Sequence, residues 1–261
     1  IQSSVETFAK DHSLNLRTPS TLDNDEEYDY LKKLEPDIVI VIAYGKIILK
    51  KFLNLSKYGF INVHASLLPK WRGAAPIQRS IMNLDNETGI SIMKIVEELD
   101  SGPISNSYKI KLNHNDNTQE ISEKLSFLAS EKILDEIDLI LEDKAKFIDQ
   151  DHSKATYASK IQKAEGEINW NDDAKIIIGK INGLYPVPGA FFIYKGERYK
   201  ILKAEIGNGT GKPGEIVSDY LEVVCGDKHS IKIKEIQRQG KKPQNIGEFM
   251  LGSQIKKGAV I

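Results

Sequence analysis

The chain has 261 residues, 40% of them hydrophobic, which is enough apolar matter for a core and excludes general disorder. Its longest apolar run, residues 38–44, is far shorter than a bilayer-crossing helix requires, and its one cysteine, Cys225, excludes a disulfide framework and a cysteine-based zinc site and fits a reducing compartment. The formal net charge of -1 hides a division: residues 1–150 carry a net −6, residues 151–261 a net +5, and residues 228–261 a net +6. Such asymmetry reads either as a solvated lysine face or as a surface for an anionic partner.

Residues 35–44 predict a strand covered on both faces, being β-branched, continuously apolar and bounded by Pro36 and Gly45. Residues 59–64 and 89–96 predict two more. Between them lies a helix with Pro76 in its first turn and Ile77, Ile81 and Leu84 along one face. Thr118 fits the N-cap of a longer helix with the stripe Ile121, Leu125, Leu128, Ile133, Ile137 and Leu141. Strand–helix alternation of this kind gives an α/β layer with a mostly parallel sheet. A polar stretch over residues 143–159 reads as connecting chain. Short strands then alternate with glycine turns at residues 190–194, 199–206, 214–217, 221–225 and 231–236, the pattern of a small, OB-like β-barrel. Residues 207–214 are glycine-rich, but Pro213 stands where a phosphate loop needs Ser or Thr, so they read as a plain connection.

The chemistry concentrates in residues 62–76, Asn62-Val-His64-Ala-Ser66-Leu67-Leu68-Pro69-Lys-Trp-Arg72-Gly-Ala-Ala-Pro76. Residues two apart on a strand share a face, so Asn62 and His64 project together at a strand's C-terminal end, where open α/β sheets bind ligands. Taken singly, His64 reads as a satisfied core histidine, Asn62 as a strand-end amide, and Asp100 as a turn or helix-cap aspartate. The five histidines show no metal-ligand spacing, and no metal is expected.

This segment, followed by Gly89-Ile-Ser-Ile-Met93 and Leu99-Asp100-Ser-Gly102-Pro-Ile104, closely resembles the formyltransferases that use 10-formyltetrahydrofolate. The continuation Trp71-Arg-Gly-Ala-Ala-Pro-Ile-Gln78 and the run Thr156-Tyr-Ala-Ser-Lys160-Ile are similar to the methionyl-tRNA formyltransferase family in particular. The resemblance implies a Rossmann-like formyltransferase domain over residues 1–145, a linker over 146–164 and an OB-like tRNA-binding domain over 165–261. It implies that Asn62, His64 and Asp100 are catalytic. Asn62 and His64 would donate to the charge developing on the formyl oxygen, His64 would carry protons, and Asp100 would orient it. Folate would lie against Ser66, Leu67, Leu68 and Pro69 and the edge at residues 41–48, although Leu67 and Leu68 also fit ordinary loop packing and Val41 and Ile42 read as core.

The basic C-terminal half then has methionyl-initiator tRNA as its partner. Arg72, Lys160, Lys163, Lys232, Lys234, Lys241 and Lys242 are the tRNA-binding candidates, with Lys228 and Arg238 beside them, and their contacts would fall mostly on phosphate. A cytoplasmic monomer with no membrane partner is expected. The strand, glycine turn and helix that open the family are expected to be missing ahead of Ile1, and Ala65 and Ser101 replace the family's usual glycine and threonine. The same site could instead serve a nucleotide-sugar amine, glycinamide ribotide or formyl-folate hydrolysis, or the chain could bind folate or RNA without catalysis. The basic second domain separates the tRNA reading from the other acceptors, and a formylation assay with charged initiator tRNA separates it from binding without catalysis.

Overall fold

A computed structural model describes residues 2–22, 24–253 and 255–261; Ile1, where the expected first domain opens, lies outside them. The chain begins with α1 (Ser4–Asp11) and α2 (Asp25–Leu34), capped by Ser3 and Asn24, whose side chains accept from the amides of Glu6 and Glu27. Next come β1 (Val39–Ile42), α3 (Lys50–Leu53), β2 (Phe60–His64), β3 (Arg72–Gly73), α4 (Pro76–Met82), β4 (Glu87–Lys94), β5 (Ile104–Lys111) and α5 (Thr118–Leu141). One sheet runs β1–β2–β4–β5. The α/β class holds and the sheet is mixed: β1 and β2 are parallel, as alternation requires, while β2–β4 and β4–β5 run antiparallel. The helix between β2 and β4 is only a short return, and β5 folds straight back on β4, which needs no crossover.

β1 was expected to be covered on both faces; among the described residues it stands at the end of the sheet and is partly buried, with Ile42 58% exposed. α5 covers one face of the sheet, burying Ile121, Leu125 and Ile140 against Ile61, Val63, Ile90 and Ile92. The alternate residues Asn62, His64, Ser91 and Met93 therefore take the opposite side. Asn117, not Thr118, caps α5, completing a capping box with Glu120. Thr118 instead donates its hydroxyl to the carbonyl of Gly183 at 2.6 Å. Near the helix end the buried position is Glu136 rather than the expected Ile137. Its carboxylate accepts from Ser105 Oγ, Asn106 Nδ2 and Tyr108 Oη on β5, and burial, aided by that carboxylate, pushes the Tyr108 hydroxyl up to about 12.

Beyond β6 (Tyr157–Ala158), α6 (Ala174–Gly183) precedes β7 (Ala190–Tyr194), β8 (Glu197–Gly207), β9 (Glu222–Val224), β10 (Ser230–Arg238), β11 (Gln244–Asn245) and α7 (Ile246–Gly252). β10 is central, pairing antiparallel with β8, β9 and β11, and a register shift at residues 233–236 bends it. The result is a curled antiparallel half-barrel around α6, filled by Ile177, Ile181, Ile201, Ile231, Ile233 and a Trp170–Phe192–Tyr199–Phe249 aromatic chain. The expected strand at residues 214–217 survives only as single bridges from Glu215 to Val260 and from Ile216 to Val223.

α4 lies against α6, where Gly179 and Gly183 let the backbones approach; a Cβ on Gly183 would sit 2.5 Å from Met82. Arg79 reaches across with two bonds to Glu165 (2.6 and 3.1 Å) and two to the Ser159 carbonyl (3.0 and 3.2 Å), and its guanidinium holds the Glu165 carboxyl below the usual range. Asn182 donates to the carbonyl of His114.

Candidate active site

The site forms where β2 ends and the loop to α4 folds back beneath it. His64 is 6% exposed, and its Nε2 lies 3.0 Å from the carbonyl oxygen of Trp71. A carbonyl only accepts, so Nε2 is assigned the proton and Nδ1 carries the lone pair of the neutral ring. Nδ1 faces Asp100 Oδ2 at 3.6 Å, too far for a direct hydrogen bond, and the carboxylate attracts the ring only in the form that carries a proton on Nδ1. The carboxylate is anchored at the same Oδ2 by the amide of Gly73, 2.8 Å away. Asn62, half-buried one pleat back on the same side of β2, has no hydrogen bond to its side-chain amide among the described residues. The structure thus brings His64 and Asp100 together and leaves Asn62 with a free donor on their side of the sheet.

Local backbone geometry explains why this loop needs its particular residues. Trp71 takes a positive φ of 63° and Gly73 one of 121°, and a Cβ on Gly73 would meet the Ala158 carbonyl at 2.8 Å. Asp100 also sits at positive φ (46°), a conformation Asp tolerates better than most residues.

Ser66, Leu67, Leu68 and Pro69 form a tight, internally bonded turn. Ser66 is fully buried and donates to the Lys70 carbonyl at 2.6 Å, and Ser91 Oγ accepts from the Leu68 amide and donates to the Ser66 carbonyl. Leu68 is buried and Leu67 partly so, which means the turn offers a shape and an apolar wall rather than free polar side chains. Beside it, after β1, Ile42, Tyr44 and Ile47 are 58%, 40% and 83% exposed, and β1 has no strand on its outer edge among the described residues. The apolar wall of the turn and these exposed side chains fit a flat heterocycle such as a pterin.

Arg72, expected on a tRNA-binding surface, is 3% exposed and spends its guanidinium on Gln150 at 2.7 and 3.1 Å. It is an interior residue, and no loop position between two packed segments offers a free cation. The other basic candidates are on the surface, though not equally available. Lys234 pairs with Glu205 at 2.7 Å, Arg238 with Glu197 at 2.6 Å, and Lys232 lies opposite Glu205 and Glu222 in the sheet register. Lys160, Lys163, Lys228, Lys241 and Lys242 are exposed without an ion-pair partner among the described residues. Lys241 and Lys242 line a groove of about 570 Å³ with Arg238, Tyr194 and Lys195, the last of which the sequence did not single out. Across the domain, the amide of Gly209 in the glycine-rich connection is taken up by Glu222 Oε1 at 2.8 Å, an anion where a phosphate loop would need none.

Residues 2–137 match the family model described as formyl transferase, and residues 160–254 the model of the formyl transferase C-terminal domain. The chain belongs to the formyl transferases, and within them to the methionyl-tRNA formyltransferase family. It is 66% identical to the methionyl-tRNA formyltransferase of Pelagibacter ubique (strain HTCC1062) over all of this chain and 84% of that protein. It is 39% identical to that of Rickettsia prowazekii (strain Madrid E), over all of this chain and 86% of the relative. In fold it is similar to WlaRD, a sugar 3N-formyl transferase solved in the presence of dTDP and 5-N-formyl-THF, with a TM-score of 0.69, 19% identity, and 90% and 81% of the two chains covered.

Proposed function

We propose that this chain transfers the formyl group of 10-formyltetrahydrofolate to the free amino group of methionyl-initiator tRNA, with Asn62, His64 and Asp100 as the catalytic residues. The observation that carries the catalytic assignment is the His64 Nδ1–Asp100 pair, held by the Trp71 carbonyl and the Gly73 amide, beside an unengaged Asn62 amide. Bound folate supplies an activated formyl group. Asn62 Nδ2 donates to the formyl oxygen as negative charge gathers there. His64 takes the proton of the attacking amine at Nδ1, since Nε2 is committed to Trp71, and Asp100 stabilises the resulting imidazolium; the proton then passes to the folate nitrogen as its bond to the formyl carbon breaks. The apolar turn of Ser66, Leu67, Leu68 and Pro69 and the exposed side chains after β1 form the folate wall.

On this reading residues 1–145 carry the chemistry, 146–164 join the units and 165–261 hold the tRNA, in the cytoplasm. Among the described residues no helix is long and apolar enough to cross a membrane. Assays with charged initiator tRNA, an amino sugar nucleotide and glycinamide ribotide as competing acceptors are expected to show formylation of the tRNA alone. Turnover of only a sugar amine or the ribotide would reject this acceptor assignment.

Lys241 and Lys242, unlike Lys234, have no ion-pair partner among the described residues, so they are assigned the phosphate contacts. Reversing both to Glu is expected to raise the KM for tRNA without changing the KM for folate. It should also flatten the salt dependence of tRNA affinity by about one unit of log–log slope per lost contact. An unchanged slope across a salt series would remove these two residues from the interface.

A further inference from the structure

The chain between the two domains is stitched to the catalytic loop rather than hanging free. Ile148 exchanges two backbone hydrogen bonds with Ile104, the first residue of β5. Thr156 donates its amide to the Pro69 carbonyl and accepts the amides of Trp71 at Oγ1 and Arg72 at its carbonyl, and β6 then pairs in parallel with β3. Between these sutures lies Gln150, 6% exposed. Its Nε2 donates to the carbonyls of Asp100 (2.9 Å) and Gly102 (2.8 Å), and its Oε1 accepts from Arg72 Nε and Nη2. All four bonding positions of the amide are filled, and only one orientation works, because a guanidinium cannot accept and a carbonyl cannot donate.

Arg72 is buried and has no carboxylate within ion-pair distance among the described residues, so Gln150 Oε1 is its main hydrogen-bond acceptor; His152 Nδ1 lies at 3.4 Å. The turn thus gripped is the one that holds Asp100 at positive φ and aims its carboxylate at His64. Left to itself, an aspartate in that conformation relaxes toward negative φ and carries its side chain away.

We propose that Gln150, locked by Arg72, is a positioning residue that fixes Asp100 for His64, making the interdomain segment a working part of the catalytic apparatus. This rests on the catalytic assignment of Asp100 above. Gln150 acts on the backbone of residues 100–102 and touches no reacting atom.

Gln150→Glu preserves size and the acceptors for Arg72 but turns an oxygen toward two carbonyls. Gln150→Met preserves bulk and removes every polar contact. Each is expected to lower the kcat for tRNA formylation on the order of 10- to 100-fold, with KM for tRNA and folate changed less than about twofold. The deciding readout is the cycle with Asp100→Ala. If Gln150 works through Asp100, Gln150→Glu costs nothing further in the Asp100→Ala background. An equal fold loss in both backgrounds, or an unchanged kcat in both Gln150 variants, overturns the proposal. If Asp100→Ala itself leaves kcat intact, the assignment of Asp100 falls and the positioning role with it; if Asp100→Ala is severe and the Gln150 variants are silent, only the positioning role falls.

Discussion

His64→Ala is expected to lower the kcat for formyl transfer by about three orders of magnitude, with the KM values for both substrates nearly unchanged. The ring combines two functions that no neighbour can assume. On the proposed function its Nδ1, which faces Asp100, accepts the proton, and its Nε2–H ties the end of β2 to the Trp71 carbonyl. Removing it also strands a partly buried carbonyl, so a modest fall in the thermal midpoint accompanies the loss of rate. The two effects separate experimentally, because kcat can be measured well below the melting transition. A variant that keeps more than about a tenth of wild-type kcat would show that the proton moves elsewhere and that the ring is structural.

The second large effect belongs to a residue with no functional group. A Cβ on Gly102 would lie 1.9 Å from the carbonyl oxygen of Lys94 and 3.3 Å from Val96 Cγ1, and backbone cannot yield as a flexible side chain can. The turn that carries Asp100 must therefore move. Gly102→Ala is expected to cost on the order of 100-fold in kcat and about 1–3 kcal/mol in stability from overpacking. Gly252→Ala, where an added Cβ meets nothing within 4 Å, is the steric control and is expected to leave stability unchanged. Wild-type kcat in Gly102→Ala would mean that the position of Asp100 is not critical.

Much of this arrangement is legible before any coordinates. Pro76 at the first turn of α4, the alternation that puts Asn62 beside His64, and strands β7, β8 and β10 all follow from local pattern. What escapes the sequence has identifiable causes. α6 is spelled Ala-Lys-Ile-Ile-Ile-Gly-Lys-Ile-Asn-Gly, a run whose β-branched residues and glycines argue against a helix, and it exists because its isoleucines fill the half-barrel while its glycines meet α4. The cap of α5 lies one residue earlier than the sequence suggests because Asn and Thr stand side by side, and the threonine hydroxyl bonds a partner 65 residues away. Arg72 reads as a surface cation because arginines in loops usually are. Only Gln150, 78 positions downstream, explains its burial, and no periodicity or spacing connects such a pair.

The contact between α4 and α6 also bears on what the enzyme will accept. Because Gly179 and Gly183 bring backbone against α4, and because Thr118, Asn182 and Arg79 cross-brace the joint, the catalytic strand end and the lysine groove of the half-barrel stand in a fixed relation. On the proposed function, a fixed separation behaves as a ruler. An acceptor long enough to lay its phosphates in the groove and its terminal amine at His64 meets both at once, while free methionine reaches only one. Selection by span needs no base-specific contact at the reacting end.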